Sequence, residues 1–275
     1  MHSKPLSALL FGILAFAAGG ATAQSNSLDD QLKSADLAPT GTLRVAFLGT
    51  NPIQGRVDAE TGEVSGPVAD IIAELATRLG VPHELMPQNR AQEVMDSLNS
   101  GTADLGFLAY EDMRAEQVDY AGPYALMANS YLVAANSPLQ DSADVDADGI
   151  VVGTVVGRSQ EVFLSANIRH ARLAIWEQQP ADEEIERLLV SGEISAVGQN
   201  RQRSVDHAAK FPSLRVLDDS FFSVPQAFVI RKSEAAKAEV LTRFMDELRN
   251  SGFIQASLEN ANLLSGASVA PPGVP

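Results

Sequence analysis

Cysteine is absent from the 275-residue chain, so no disulfide can staple it and a folded form must rest on core burial alone. Basic residues are scarce: 20 Lys and Arg stand against 35 Asp and Glu, a formal charge of −15, which is the wrong sign for a nucleic-acid partner. Histidine occurs four times, and His83, His170 and His207 lie too far apart for metal-ligand spacing. A G-x-S-x-G elbow, a P-loop and a dinucleotide fingerprint are missing; the nearest glycine string, GTVVG at 153–157, lacks the spacing. No metal or cofactor is therefore expected. The one marked apolar run, near the N-terminus, is broken by glycines and falls short of the ~20 residues that span a bilayer.

That run has another reading. Residues 1–23, MHSKPLSALLFGILAFAAGGATA, join a basic start at Lys4 to an apolar stretch and end in Ala21-Thr22-Ala23. This is the pattern of a secretory signal cleaved after Ala23. Its removal takes away one lysine and no acid, leaving 252 residues at −16. With no cysteine after the cleavage site to carry lipid, the mature chain is expected to be soluble and periplasmic.

Past a polar leader at 24–40, strand and helix patterns alternate. LRVAFLG (43–49) reads as a buried strand, and GPVADIIAELATRLG as a helix with Pro67 at its first position and Gly80 as its left-handed cap. PHELMP is a short strand, Asn89 can cap the helix carrying Val94, Met95 and Leu98, and ADLGFLA (103–109) is a third strand. Short connections imply right-handed crossovers and a parallel sheet, whose ligand sites lie at the carboxyl ends of the strands.

After the Ser-, Pro- and Asp-rich boundary at 129–149 the pattern restarts, with strands at 150–156, 171–176 and 194–198 and helices between them. A strand-like run at 221–230 and helices at 234–250 and 252–261 close the chain, and its proline-rich end should be ordered only by docking. The expected architecture is α/β with two lobes, each a mixed, mostly parallel sheet flanked by helices. The first lobe spans 41–130 and returns at 225–275; the second spans 131–224; two crossing segments, 129–135 and 222–230, join them.

Two places point to anion binding. In VVGRSQE (155–161) a glycine turn at a strand end leads to Ser159, which can cap the following helix, and free N–H groups at a helix start attract anions. Arg114 follows another strand end by five residues, where a planar guanidinium can grip a carboxylate with two parallel bonds. Glu111, three residues back, offers the plainer alternative of a surface ion pair.

SLNSGTADLGFLA and the MRAEQVDYAGPY block after it resemble consecutive blocks of the extracellular solute-binding proteins of family 3, and the similarity runs from Leu43 to about Ala261. The resemblance implies a type II periplasmic-binding-protein fold, a small solute held between the lobes, and delivery to the permease of an ABC importer. The family arginine that clamps an α-carboxylate falls on Arg114, and the family's second-lobe glycine turn on Gly157, Arg158 and Ser159. Departures occur at Glu111, often Thr; at Ala109, often Ser or Gly; at Asn51-Pro52-Ile53, where a stacking aromatic is usual; and at Asn200, where an aspartate pairs with the ligand's ammonium.

The expectation is thus a monomeric binder of a small anionic or zwitterionic solute carrying a carboxylate or other anionic group. Arg114 is its anchor, Gly157, Arg158 and Ser159 are donors, and Asn51, Glu111, Asn200 and Arg201 line the cleft. Two rivals remain. Cyclohexadienyl dehydratases resemble these proteins, and such chemistry needs a proton-shuttling carboxyl, for which Glu111 is the obvious candidate; a paired arginine would keep it ionised and a poor acid. The other rival is a non-transport periplasmic module serving a sensor or an oxidoreductase.

Overall fold

The computed structural model of the protein describes residues 27–273; the leader and its cleavage site lie outside the described residues. Among the described residues no helix is long and apolar enough to cross a membrane. The first element is one the sequence pattern did not announce. Helix α1 (Leu28–Ser34) starts on Ser27, whose hydroxyl accepts a bond from Asp30 N while the Asp30 carboxylate accepts one from Ser27 N. It buries Leu32, with Leu37 just beyond, so the polar leader is part of the fold.

The first lobe continues with β1 (Leu43–Leu48), a small hairpin of β2 (Arg56–Val57) and β3 (Val64–Ser65), α2 (Pro67–Leu79), β4 (His83–Gln88), α3 (Ala91–Asn99), β5 (Leu105–Ala109) and the single turn α4 (Asp112–Ala115). Gly80 takes the left-handed conformation that stops α2, as its position suggested. Asn89 does not cap α3: Arg90 holds that place, and the Glu93 carboxylate accepts the backbone N–H groups of both.

A 17-residue strand, β6 (Val118–Ala134), leads into β7 (Val151–Val155), α5 (Ser159–Asn167), β8 (Arg172–Trp176), α6 (Asp182–Ser191), β9 (Ala196–Asn200), α7 (Arg201–Lys210) and β10 (Leu214–Val216). The chain returns along β11 (Phe222–Arg231) to α8 (Ala235–Asn250), α9 (Phe253–Asn260) and β12 (Ala267–Val269). β12 docks on β6, so the tail is ordered by pairing, as expected.

The sheet runs β4-β1-β5-β11-β6-β9-β7-β8. Each lobe holds a parallel trio, β4-β1-β5 or β9-β7-β8, and the crossing strands β11 and β6 run antiparallel between them. In each trio a strand, a helix and the next strand repeat, and because the second trio runs opposite to the first, the carboxyl ends of the two trios face each other.

Candidate functional site

A cleft of about 800 Å³ lies where those carboxyl ends meet. The loop after β4 supplies Asn89, that after β1 Thr50 and Asn51, and that after β5 Glu111 and Arg114. From the second lobe come Gly157 to Gln160 after β7, Gln178 and Gln179 after β8, and Asn200 at the end of β9. Seven of the eight residues singled out in the sequence therefore share one cavity.

Arg114 projects from α4 and is only 8% exposed. Its Nη1 donates to the Ala109 carbonyl at 2.9 Å and its Nη2 reaches across the cleft to the Gly157 carbonyl at 2.7 Å. Tyr120 donates to the same Ala109 oxygen at 2.8 Å, and burial pushes the Tyr120 hydroxyl pKa up to about 12, so it stays a donor at neutral pH. No carboxylate of the described residues pairs with Arg114. The surface ion pair with Glu111 is therefore not formed. Glu111 sits half-buried in the cleft wall, and burial raises its carboxyl above the ordinary range despite the opposing pull of the Arg114 charge. The shift is opposite in direction to the lowering expected of a carboxylate paired with arginine, because desolvation outweighs the Arg114 charge.

Opposite Arg114 the chain turns through Gly157 at φ +69°, a left-handed conformation that disfavours a side chain and aims the carbonyl at the guanidinium. Ser159 does not cap α5; it is the first helical residue, after Arg158 at the cap position, and no side chain caps the helix. Its hydroxyl makes no hydrogen bond within the described residues and can serve an anion, but the expected Gly157 donor is engaged: its N–H donates to Glu161 Oε2 at 3.1 Å. Arg158 donates from Nη2 to Thr50 Oγ1 at 3.0 Å, a second bond across the cleft in the sense opposite to that of Arg114. Burial first, and the charges of Arg203 and Arg114 second, lower the Arg158 pKa to about 10, which still leaves it cationic at neutral pH.

The remaining positions divide. Asn200 lines the cleft, but its side-chain oxygen is occupied in accepting Arg203 N at 2.7 Å, capping α7. Asn51 lines it with both amide ends engaged, to Gln226 Oε1 and from Ile53 N. Arg201 is not in the cleft: its Nη1 binds the carbonyls of Leu217 and Asp219. The step into α7 turns it aside. Arg203, two residues on, takes its place beside the cleft, lining a small recess with Arg158, Gln160, Gln179 and Asn200. The strand-end rule that selected Arg114 would have found Arg203 had α7 been recognised in RQRSVDHAAK. Among the described residues no group of His, Asp or Glu is arranged to hold a metal ion.

Two lobes closing a polar cleft at strand ends define a solute-binding architecture. The chain belongs to the bacterial extracellular solute-binding proteins, family 3, whose pattern matches residues 43–260. Among solved structures it resembles a solute receptor for L-cysteine of Neisseria gonorrhoeae at 22% identity and TM-score 0.70, over 85% of this chain and 94% of that one. An amino acid ABC transporter substrate-binding protein of Streptococcus pneumoniae bound to L-arginine matches at 24% identity and TM-score 0.68, over 82% and 96%. An ancestral amino acid-binding protein, a precursor of cyclohexadienyl dehydratase, matches at 20% and 0.68, over 82% and 98%. At these identities the likeness is one of fold. No curated protein sequence matches the chain.

Proposed function

We propose that the protein is a periplasmic receptor that captures a small anionic or zwitterionic solute in the cleft and delivers it to the permease of an ABC importer. In this reading residues 41–130 with 225–275 form one lobe and 131–224 the other, and the mature chain begins at Gln24 and acts as a monomer. The observation that carries it is Arg114: a buried guanidinium at a strand's carboxyl end, with no carboxylate partner among the described residues and N–H donors left beyond its two carbonyl bonds. Opposite it, Ser159 supplies a free hydroxyl at a helix start, so an anion bound there touches both lobes and favours their closed arrangement.

A conventional α-amine has less to hold it. The family aspartate is replaced by Asn200, whose oxygen is already used, and the Ala109 and Gly157 carbonyls are taken by Arg114. Glu111 and Glu177 are the cleft carboxylates left to accept an ammonium. The test is a thermal-shift screen of organic acids against amino acids, in which a solute at 100 times its dissociation constant adds about 2.7 kcal/mol of stability. The expected hits are carboxylates. A strong shift with a standard amino acid, unaffected by Asn200→Ala, would overturn the specificity argument.

One observation favours a dehydratase-like enzyme as the second reading: Glu111 is a carboxyl of raised pKa facing the cleft beside Arg114. The binding reading expects a bound solute to be recovered unchanged after long incubation. A product formed by the wild type and lost in Glu111→Gln would establish catalysis instead.

A further inference from the structure

Beyond the anion held by Arg114, and resting on that reading, we infer that the cleft has a second carboxylate subsite, formed by Arg158, Arg203 and Gln179, and that the solute is an aliphatic dicarboxylate.

The recess that opens off the cleft wall shares Val155, Arg158, Gln160, Gln179 and Asn200 with it. Its lining contains two arginines and no acid. Its volume of about 10 Å³ is roughly the room of one water molecule, enough for one oxygen of a carboxylate whose other oxygen stays in the cleft. Among the described residues three buried polar atoms here have no partner: the donors Nε of Arg203 and Nε2 of Gln179, and the acceptor Oε1 of Gln199. Buried donors of this kind are rarely left unused.

Charge points the same way. Arg158 has Thr50 Oγ1 as its one hydrogen-bond partner and no carboxylate among the described residues. Arg203 reaches Asp182 at 3.3 Å and shares it with the neutral His207 ring and with Lys210, which lies closer to Glu183. Of the acids that line the cleft, Glu93 is paired with Arg90, and neither Glu111 nor Glu177 lines the recess. A buried cation without a counter-charge is costly, and an anion brought by the solute removes that cost. Leu48, Met95, Met127 and Val155 give the cleft an apolar surface suited to a chain of methylenes between two acidic ends.

The experiment titrates succinate, glutarate and adipate, each against its own monoamide, into the wild type, Arg158→Gln, Arg158→Lys and Arg114→Ala by calorimetry. A monoamide keeps one carboxylate and nearly the same shape, so the ratio of the two affinities reads the second subsite alone. The expected result is at least one diacid bound about 30-fold or more tighter than its monoamide by the wild type. In Arg158→Gln that ratio falls toward one, and Arg158→Lys retains part of it. Equal binding of diacid and monoamide, or a ratio that survives Arg158→Gln, overturns the second subsite; if Arg114→Ala then abolishes binding of both, the single-anion reading stands. If no compound of the panel binds the wild type, both readings fall.

Discussion

The two lobes repeat one strand-and-helix plan but spend their interiors differently. The largest wholly buried side chains, Phe47, Phe107, Tyr124, Phe228 and Phe244 among them, all lie in the first lobe. The second lobe divides its smaller core into a cluster around Tyr131, Val152 and Leu164 and another around Ile185, Leu189 and Val197. Between and beside these it buries polar groups: Thr154, Ser159, Gln160, Gln199, Asn200, Gln202 and His207. Apolar burial is the main favourable term in folding, and a buried hydrogen-bonded amide contributes only about 1 kcal/mol net. The difference assigns rigidity to the first lobe, with Arg114 as a fixed anchor, and most of the cationic and amide lining to a second lobe of lower local stability.

The largest effect is expected from Phe244→Ala, which removes a wholly buried ring from the larger core and should cost about 3–5 kcal/mol of global stability in urea unfolding. Ile185→Ala should cost about 2–4 kcal/mol. Hydrogen exchange should show that loss confined to the second lobe, with first-lobe protection retained. Equal loss of protection in both lobes would mean that they unfold as one unit.

Next in size is the seam between lobes. Gly266 lies so close to the backbone of Gln202 that an added Cβ would stand 2.5 Å from Gln202 N. Ser265 donates to the Gln202 side chain beside it. Gly266→Ala should therefore push α7 away and cost about 1–3 kcal/mol. An unchanged melting temperature would mean that this contact is loose.

A pH profile sharpens the contrast further. Burial, and the charge of Arg203, hold the His207 imidazole below its ordinary pKa of about 6.5 despite Asp182. As a neutral ring it donates from Nε2 to Asp182 Oδ1 at 2.9 Å and accepts from Gln199 Nε2 at 3.3 Å. The unfolded chain takes up a proton before the folded one, so this contribution is complete above about pH 6.5 and is lost as pH falls through that value toward the folded pKa. His207→Gln should flatten that part of the profile; an unchanged acid limb would remove His207 from the account. The smallest effect belongs to Arg56 and Asp206, an exposed pair bridging the lobes at 2.9 Å, where Arg56→Ala should cost less than about 1 kcal/mol.

The strands and the long helices were legible in the sequence because their burial is periodic. β1, β5, β7 and β9 are short apolar runs bounded by turn residues, and α2 presents Val68, Ile71, Ile72 and Leu75 on one face. α1 and α7 were not, for a shared reason. α1 buries one residue of its seven, Leu32, and α7 buries Gln202, Ser204 and His207, so neither shows an apolar stripe. The site was legible to the same extent. Position at strand ends brought out Arg114, Glu111, Asn51, Asn200 and the Gly157 turn, but which way a side chain leaves a helix start depends on a helix that has no pattern. Hence Arg201 was expected where Arg203 stands. Partners too were out of reach: the Glu111 pairing was a matter of spacing, whereas the cross-lobe bond from Arg114 to Gly157 joins residues 43 apart in sequence.

The central claim is that Arg114 of the rigid lobe holds the solute's anionic group against the turn of the other. Its direct test is calorimetric titration of the most stabilising carboxylate into the wild type and into Arg114→Ala, with circular dichroism and an intact unfolding transition as evidence that the variant is folded. Affinity should fall by about 30-fold or more, since one partner of a buried, hydrogen-bonded charge pair is removed. A folded Arg114→Ala protein that binds the same solute with unchanged affinity would contradict it.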